Sequence, residues 1–326
     1  MVSSVSTGPA SATPEWNSPA SVFTPWEAEV TSWPDFLDQV QKLTARYSGR
    51  ELVWRGARSA DWALQSSLYR RLSMILERAP TESEMAAAER QILRRARYDW
   101  RFDNLSAMQI FASLQHYGGP TRLLDVTANP LIAAWFAVEP KDTGRADAAR
   151  VFAFASKRPP VHLRGRWAER YPWWFGLRTD PDRIDADWGT GHNVRVWRPP
   201  AYSERIAAQN AGFIIDGAPV GGGEAALCRI GPESRLRWTL SQIQETSSIN
   251  LRFGQIERTA TSDATGPMYT LKLEADAIAE IRDQLQRVYG YRASSIYADM
   301  SGLSAFLTES AESLTDSWGS DAGPSD

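Results

Sequence analysis

Phe111-Ala-Ser-Leu-Gln-His-Tyr-Gly-Gly-Pro-Thr-Arg-Leu-Leu-Asp-Val-Thr127 changes backbone regime twice within a short span. An apolar-faced helical segment through Leu114 runs into Gln115, His116 and Tyr117, and Gly118-Gly119-Pro120 then stops it. Residues Thr121 to Val126 are short, β-branched or aliphatic, and predict a brief buried strand that carries Arg122 and Asp125. A second helix is expected from Asn129, with Pro130 in its first turn where proline is preferred. Gln115, His116, Arg122, Asp125 and Thr127 therefore gather around a helix end, a strand and the mouth of another helix. Hydrogen-bonding groups concentrated beside apolar walls are the usual composition of a ligand pocket.

Upstream, Trp33, Phe36, Leu37, Val40, Leu43 and Tyr47 have helical spacing, with Ser32 as cap, and the helix should end near Gly49. Leu52-Val53-Trp54 reads as a strand that delivers Arg55 and Gly56 at its carboxyl end. Residues 82–102 predict a long helix whose apolar face includes Met85, Ile92, Leu93, Ala96 and Trp100. Downstream, Val151 to Ala155 and Met268 to Leu273 read as strands, and Ala275 to Tyr289 as an amphipathic helix. Between them, residues 161–200 lose periodicity and become dense in Trp, Arg, Gly and Pro, which suggests an insertion or a functional segment that could stack bases. Strands and helices mix without a regular alternation, so the expected class is α+β, a mixed sheet with packed helices in a single domain spanning 26–308. Residues 1–25, rich in Ser, Thr, Ala and Pro, and the acidic stretch 309–326 are expected to be disordered tails.

The chain has 326 residues, a formal net charge of -3 and 43% hydrophobic content, enough for a packed core and unsuited to coating a polyanion. Of 36 Lys and Arg residues only Lys42, Lys141, Lys157 and Lys272 are lysine, leaving 32 arginines, the side chain that holds phosphate through a bidentate fork. GC-rich coding would give the same bias. Cys228 stands alone and the other histidines, His162 and His192, are remote from His116, so neither a disulfide framework nor a typical zinc set can be assembled. No run approaches the ~20 apolar residues of a membrane span, and a cytoplasmic location without membrane contact is the default expectation. Gly221-Gly222-Gly223 lacks the following Lys-Ser/Thr of a P-loop.

Val53-Trp-Arg-Gly56, Asp61-Trp-Ala-Leu64, Gln115-His-Tyr-Gly118 and Pro120-Thr-Arg-Leu-Leu-Asp125 with Thr127 together resemble the FRG domain, with Trp54 where the family's name has phenylalanine. Arg205-Ile206, Gln209, Gly212-Phe213, Asp299 and Gly302-Leu303 resemble its last blocks. A more distant similarity is to mono-ADP-ribosyltransferases of the Arg-Ser-Glu type, through Arg55-Gly56, through Thr127 with Ala133-Ala-Trp-Phe-Ala137, and through the Glu204 to Gln209 neighbourhood. No Glu-x-Glu or Gln-x-Glu pair occurs there. The resemblance implies an ADP-ribosyltransferase-like fold that binds NAD as co-substrate, with a nucleic-acid or protein acceptor, in a toxin or phage-defence setting. A non-catalytic module that recognises a nucleotide or nucleic acid is the alternative.

On this reading Arg55 clamps a pyrophosphate, or else is a buried arginine paired with a carboxylate such as Asp125. Gly56 lets the chain turn with a positive φ, or lines the ligand site next to it. His116, with Gln115, Tyr117 and Arg122 around it, orients a ribose or shuttles a proton, or instead caps the carbonyls of its own helix. Arg122 and Asp125, three apart on a strand, point to opposite faces. Thr127 positions the ligand or caps the next helix. Glu204 and Gln209 are the catalytic candidates beside His116, for polarising the nicotinamide–ribose bond.

Overall fold

The computed structural model describes residues 15–139, 148–156, 160–192, 194–199, 204–221, 227–229, 237–253, 256 and 268–309. Strands β1 (Glu27–Val30), β2 (Leu52–Ala57), β3 (Leu124–Thr127), β4 (Ala148–Ala155), β5 (Val196–Trp197) and β6 (Ala211–Ile214) join a seventh near the C-terminal end. A separate two-stranded ribbon is formed by β7 (Leu227–Arg229) and β8 (Arg237–Thr239), so the late strand of the main sheet is β9 (Met268–Glu274). The seven-stranded order is β1-β9-β4-β2-β3-β6-β5, with β1 parallel to β9 and every other pairing antiparallel. Mixed pairing with unevenly placed helices makes this an α+β fold.

Helices α1 (Trp33–Arg46), α2 (Ser67–Leu76), α3 (Glu82–Tyr98), α4 (Ala107–His116) and α5 (Pro130–Val138) fall in the first half. Short α6 (Asp180–Asp185), α7 (Glu204–Ala208) and α8 (Leu240–Thr246) follow, then α9 (Ala275–Arg287), α10 (Ala293–Ile296) and α11 (Met300–Glu309). Among these described helices, none is long and apolar enough to cross a membrane.

Local sequence explains several boundaries. The Ser32 side chain accepts from the Asp35 amide to start α1, and the Asn129 side chain accepts from the Leu131 amide, ahead of Pro130, to start α5. Alternation along β4 sends Ala149, Val151, Ala153 and Ala155 to a core shared with α1, α5 and α9, and Phe152 and Phe154 to a core on the other face. The small residues of the first set let α5 lie close to the sheet.

Gly56 belongs to that contact. It lies inside β2 without a positive φ, and a Cβ there would overlap the Ala133 carbonyl oxygen of α5. The expected turn is thus corrected to a close strand–helix approach, because β2 continues to Ala57 under α5.

Three other expectations change. Pro19–Val22 and Thr24–Trp26 form two short 3-10 turns, and Val22 and Phe23 are wholly buried on the second sheet face, which overturns the disorder expected of residues 15–25. Residues 1–14, and the acidic stretch from 310 onward, lie outside the described residues. The long helix ends at Tyr98 rather than at residue 102, leaving Trp100 63% exposed instead of on the apolar face.

The Trp/Arg-rich segment is part of the core. Trp174, Trp188 and Trp197 are buried against α3 and α4, which reserves those indoles for packing rather than for base stacking. This irregular core holds a buried ion cluster. Arg122 Nη1 donates to Glu82 Oε1 at 2.8 Å, and its Nε and Nη2 donate to the two oxygens of Glu89 at 2.5 and 2.6 Å. Trp174 and Trp188 flank the guanidinium at 5.3 Å each and donate their indole N–H groups to Glu89 and Glu82. Arg122 is 3% exposed, so it is withdrawn from the ligand set: its charge is already met by two carboxylates.

Candidate functional site

The sheet opens between β2 and β3. Six residues of β2 pair in register with β4, whereas toward β3 only Trp54 and Thr127 are in register. Arg55 bridges the opening, donating from Nη1 to the Asp125 carbonyl oxygen at 2.7 Å, with the Asp125 carboxylate 3.7 Å away. A cavity of about 960 Å³ lies at this split. That is at the upper end of the roughly 300–1,000 Å³ usual for small-molecule sites.

Four arginines reach the cavity: Arg55, Arg58, Arg70 and Arg205. Loss of water chiefly lowers the Arg55 guanidinium pKa, the Asp125 charge opposes the shift, and the Arg70 charge adds to it. Its side chain is 26% exposed, so part of the guanidinium faces the open space. Arg58 lies over the ring of Trp62 at 5.4 Å, and Trp62 is itself half exposed. The walls add Phe136, Phe152, Phe213 and Tyr297.

How α4 ends decides what His116 can do. The Gly119 amide donates to the Leu114 carbonyl at 2.7 Å, and the Gly118 amide to that of Gln115 at 3.1 Å, with Gly118 at φ +73°. This is the paired 6→1 and 5→2 pattern of a glycine-terminated helix. The helix end is satisfied by backbone, so the imidazole is not needed as a cap. Instead His116 Nε2 lies 3.3 Å from Asp299 Oδ2, and Arg205 Nε is 3.8 Å from the same oxygen. Burial first and the Arg205 charge second lower the His116 pKa, with Asp299 opposing, which leaves a neutral ring at pH 7.

Arg55, Gly56, Gln115, His116, Tyr117, Asp125, Thr127 and Gln209 all line this one cavity. Within it, Gln115 is committed at both ends of its amide, donating to Asp125 Oδ2 at 2.7 Å and accepting from the Thr121 hydroxyl. The Thr127 hydroxyl donates to the Gln209 carbonyl at 2.7 Å and accepts from the Asn129 amide at 3.0 Å, while Gln209 Nε2 donates to the Ile296 carbonyl at 3.1 Å. These two side chains fix α7 and the C-terminal segment against β3. Tyr117 is 74% exposed at the rim.

Glu204 is exposed and Arg122 is buried elsewhere, and neither lines the cavity. Glu204 opens α7 on its outer side, whereas the inward positions are Arg205 and Ile206 of that helix and Gln209 just after it. The carboxylates that do line the cavity are Asp61, Asp125 and Glu139, and Glu139 Oε2 accepts from the Tyr297 hydroxyl at 3.0 Å. Burial and the Glu139 charge push the Tyr297 hydroxyl pKa upward, so it remains a donor.

Sequence reasoning gave no role to Arg58, Arg70, Glu139, Arg205 or Tyr297. Arg58 and Arg205 stand within or beside stretches already singled out, and their charge next to those residues was the available signal.

The fold and site thus define an α+β protein whose split mixed sheet frames an arginine-lined pocket. Residues 50–146, the stretch from β2 to just past α5, match the family model of the FRG domain. No curated protein and no solved structure matches the chain.

Proposed function

We propose that the cavity binds a phosphate-bearing nucleotide of the NAD class. The observation that carries this reading is the convergence of Arg55, Arg58, Arg70 and Arg205 on one cavity with aromatic walls. Guanidinium groups suit the charge and fork geometry of a diphosphate, and exposed aromatic faces suit a base. In this reading Arg55, Arg58 and Arg70 hold phosphate, Trp62 offers the stacking face, and His116 and Gln209 border the sugar. NAD, when bound, supplies an ADP-ribosyl group that can pass to an acceptor nucleophile. Toward that chemistry this chain offers Glu139, on the wall beside Tyr297 and apart from the Arg55-bound Asp125, and a neutral His116 able to accept a proton.

Calorimetric titration of NAD into the full chain tests the proposal. Binding that is lost in Arg55→Ala, with an unchanged melting profile, supports it; no heat with the wild-type chain overturns it. Release of nicotinamide, abolished in Glu139→Gln, separates a transferase from a nucleotide-recognition module. The second reading is favoured by one observation, the position of Glu204 outside the cavity.

A further inference from the structure

A second face of the molecule has the chemistry of a different ligand. At and just past the C-terminal end of α3, and on the segment tied to it, four aromatic side chains stand in solvent: Tyr98 at 70%, Trp100 at 63%, Phe102 at 50% and Tyr171 at 52% exposure. They belong to one surface, because the two segments are tied together. Arg170 Nη1 donates to the Asp103 carbonyl at 3.1 Å, Arg97 lies over the Tyr171 ring at 5.0 Å, and the Ala107 amide donates to the Glu169 carbonyl at 3.1 Å.

Charge on this surface runs against that of the whole chain. Within residues 94–103 and 164–171 the exposed arginines are 94, 95, 101, 164, 166 and 170, against exposed Asp99, Asp103 and Glu169. The overall formal charge is -3, so this is a local excess of cations. A recess of about 560 Å³ runs beside Arg94, Arg95 and Tyr98 on α3.

We propose that this face binds single-stranded nucleic acid. Rings left open to water at alternate positions 98, 100 and 102, with Arg101 between the last two and exposed Arg94, Arg95 and Arg170 flanking them, offer an unpaired strand stacking faces beside cations for its phosphates. An acidic protein would satisfy the arginines but would leave the aromatic faces without a reason to be exposed. A duplex hides its base faces and would use the arginines alone. Helix α4 runs from this face at Ala107 to the cavity at His116, a length of roughly 15 Å at 1.5 Å per residue. The inference does not depend on what the cavity binds.

Fluorescence anisotropy with labelled RNA and DNA strands of about 20 nucleotides tests it, in about 50 to 200 mM salt. The wild-type chain should bind, with affinity falling steeply as salt rises. Tyr98→Ala and Trp100→Ala should each weaken binding about tenfold or more, at unchanged melting temperature because both side chains are exposed. Arg94→Gln with Arg95→Gln should flatten the salt dependence by about 0.7 per lost phosphate contact. Arg287→Gln, a 78% exposed arginine on α9, should leave binding unchanged. Absence of binding by the wild-type chain, affinity untouched by the aromatic variants, or equal affinity for duplex DNA or a polyglutamate peptide would overturn the proposal.

Discussion

Replacing Arg122 with alanine removes the cation at the centre of the buried cluster and leaves Glu82 and Glu89 facing each other. Glu89 keeps the Trp174 indole N–H, and Glu82 keeps that of Trp188 and the Ala218 amide, but the ion pairs at 2.5 and 2.8 Å are gone. Breaking a buried pair from one side costs about 3–5 kcal/mol, because the abandoned charge stays out of water. At about 2–3 °C per kcal/mol, the melting temperature should fall by about 6–15 °C. The pH dependence follows from the direction of the Glu89 shift. Burial pushes its carboxyl upward and Arg122 holds it back, so removing Arg122 raises the folded-state pKa further. A carboxyl raised in the folded state contributes stability below its unfolded pKa and loses it as pH rises through the folded one. The deficit of Arg122→Ala should therefore be largest near neutrality and shrink toward about pH 4. Urea unfolding of both chains at several pH values measures this. A deficit below about 1 kcal/mol would refute the assignment of Arg122 as the cluster's necessary cation, and one unchanged with pH would refute its electrostatic origin.

Gly56→Ala should destabilise the fold by roughly 1–3 kcal/mol or more through overlap with the α5 backbone, whereas Gly118→Ala, with open space but φ +73°, should cost about 1–2 kcal/mol; chemical denaturation ranks them. Phe23→Ala should cost about 3–5 kcal/mol by the same assay, because that ring is wholly buried beside Phe152 and Phe253; a cost under about 1 kcal/mol would mean that the N-terminal turns do not dock. Burial pushes the Asp216 carboxyl up to about 6, against the pull of Arg195, so wild type should lose stability relative to Asp216→Asn as pH rises from about 4 through 6. A stability difference between the two that is flat across that window would contradict the shift. Glu204→Gln should leave NAD affinity within about twofold of wild type in calorimetry, since the side chain is exposed and outside the cavity.

Much of the fold is written in local pattern. Helical spacing after Ser32, the Asn129-Pro130 start and the alternation of Met268 to Leu273 each place an element where it stands. What stayed hidden needed contacts between distant residues. Arg122 meets partners 33 and 40 positions away, so a charged residue beside an apolar strand looked available for a ligand. Trp174 and Trp188 of residues 161–200 pack around that same charge cluster from irregular backbone, which leaves no period to read. Val22 and Phe23 are buried by single turns too short for a pattern, inside a proline-rich composition. The cavity was legible in part: the His116 stretch and Arg55 were visible as sequence blocks, but the meeting of Glu139 with Tyr297 across 158 positions was not.

A crystal structure of the full chain grown with NAD tests the central claim most directly. Density is expected in the opening between β2 and β3, with the diphosphate within hydrogen-bonding distance of the Arg55 guanidinium. Density for NAD at any other surface, or a diphosphate turned away from Arg55, would contradict it.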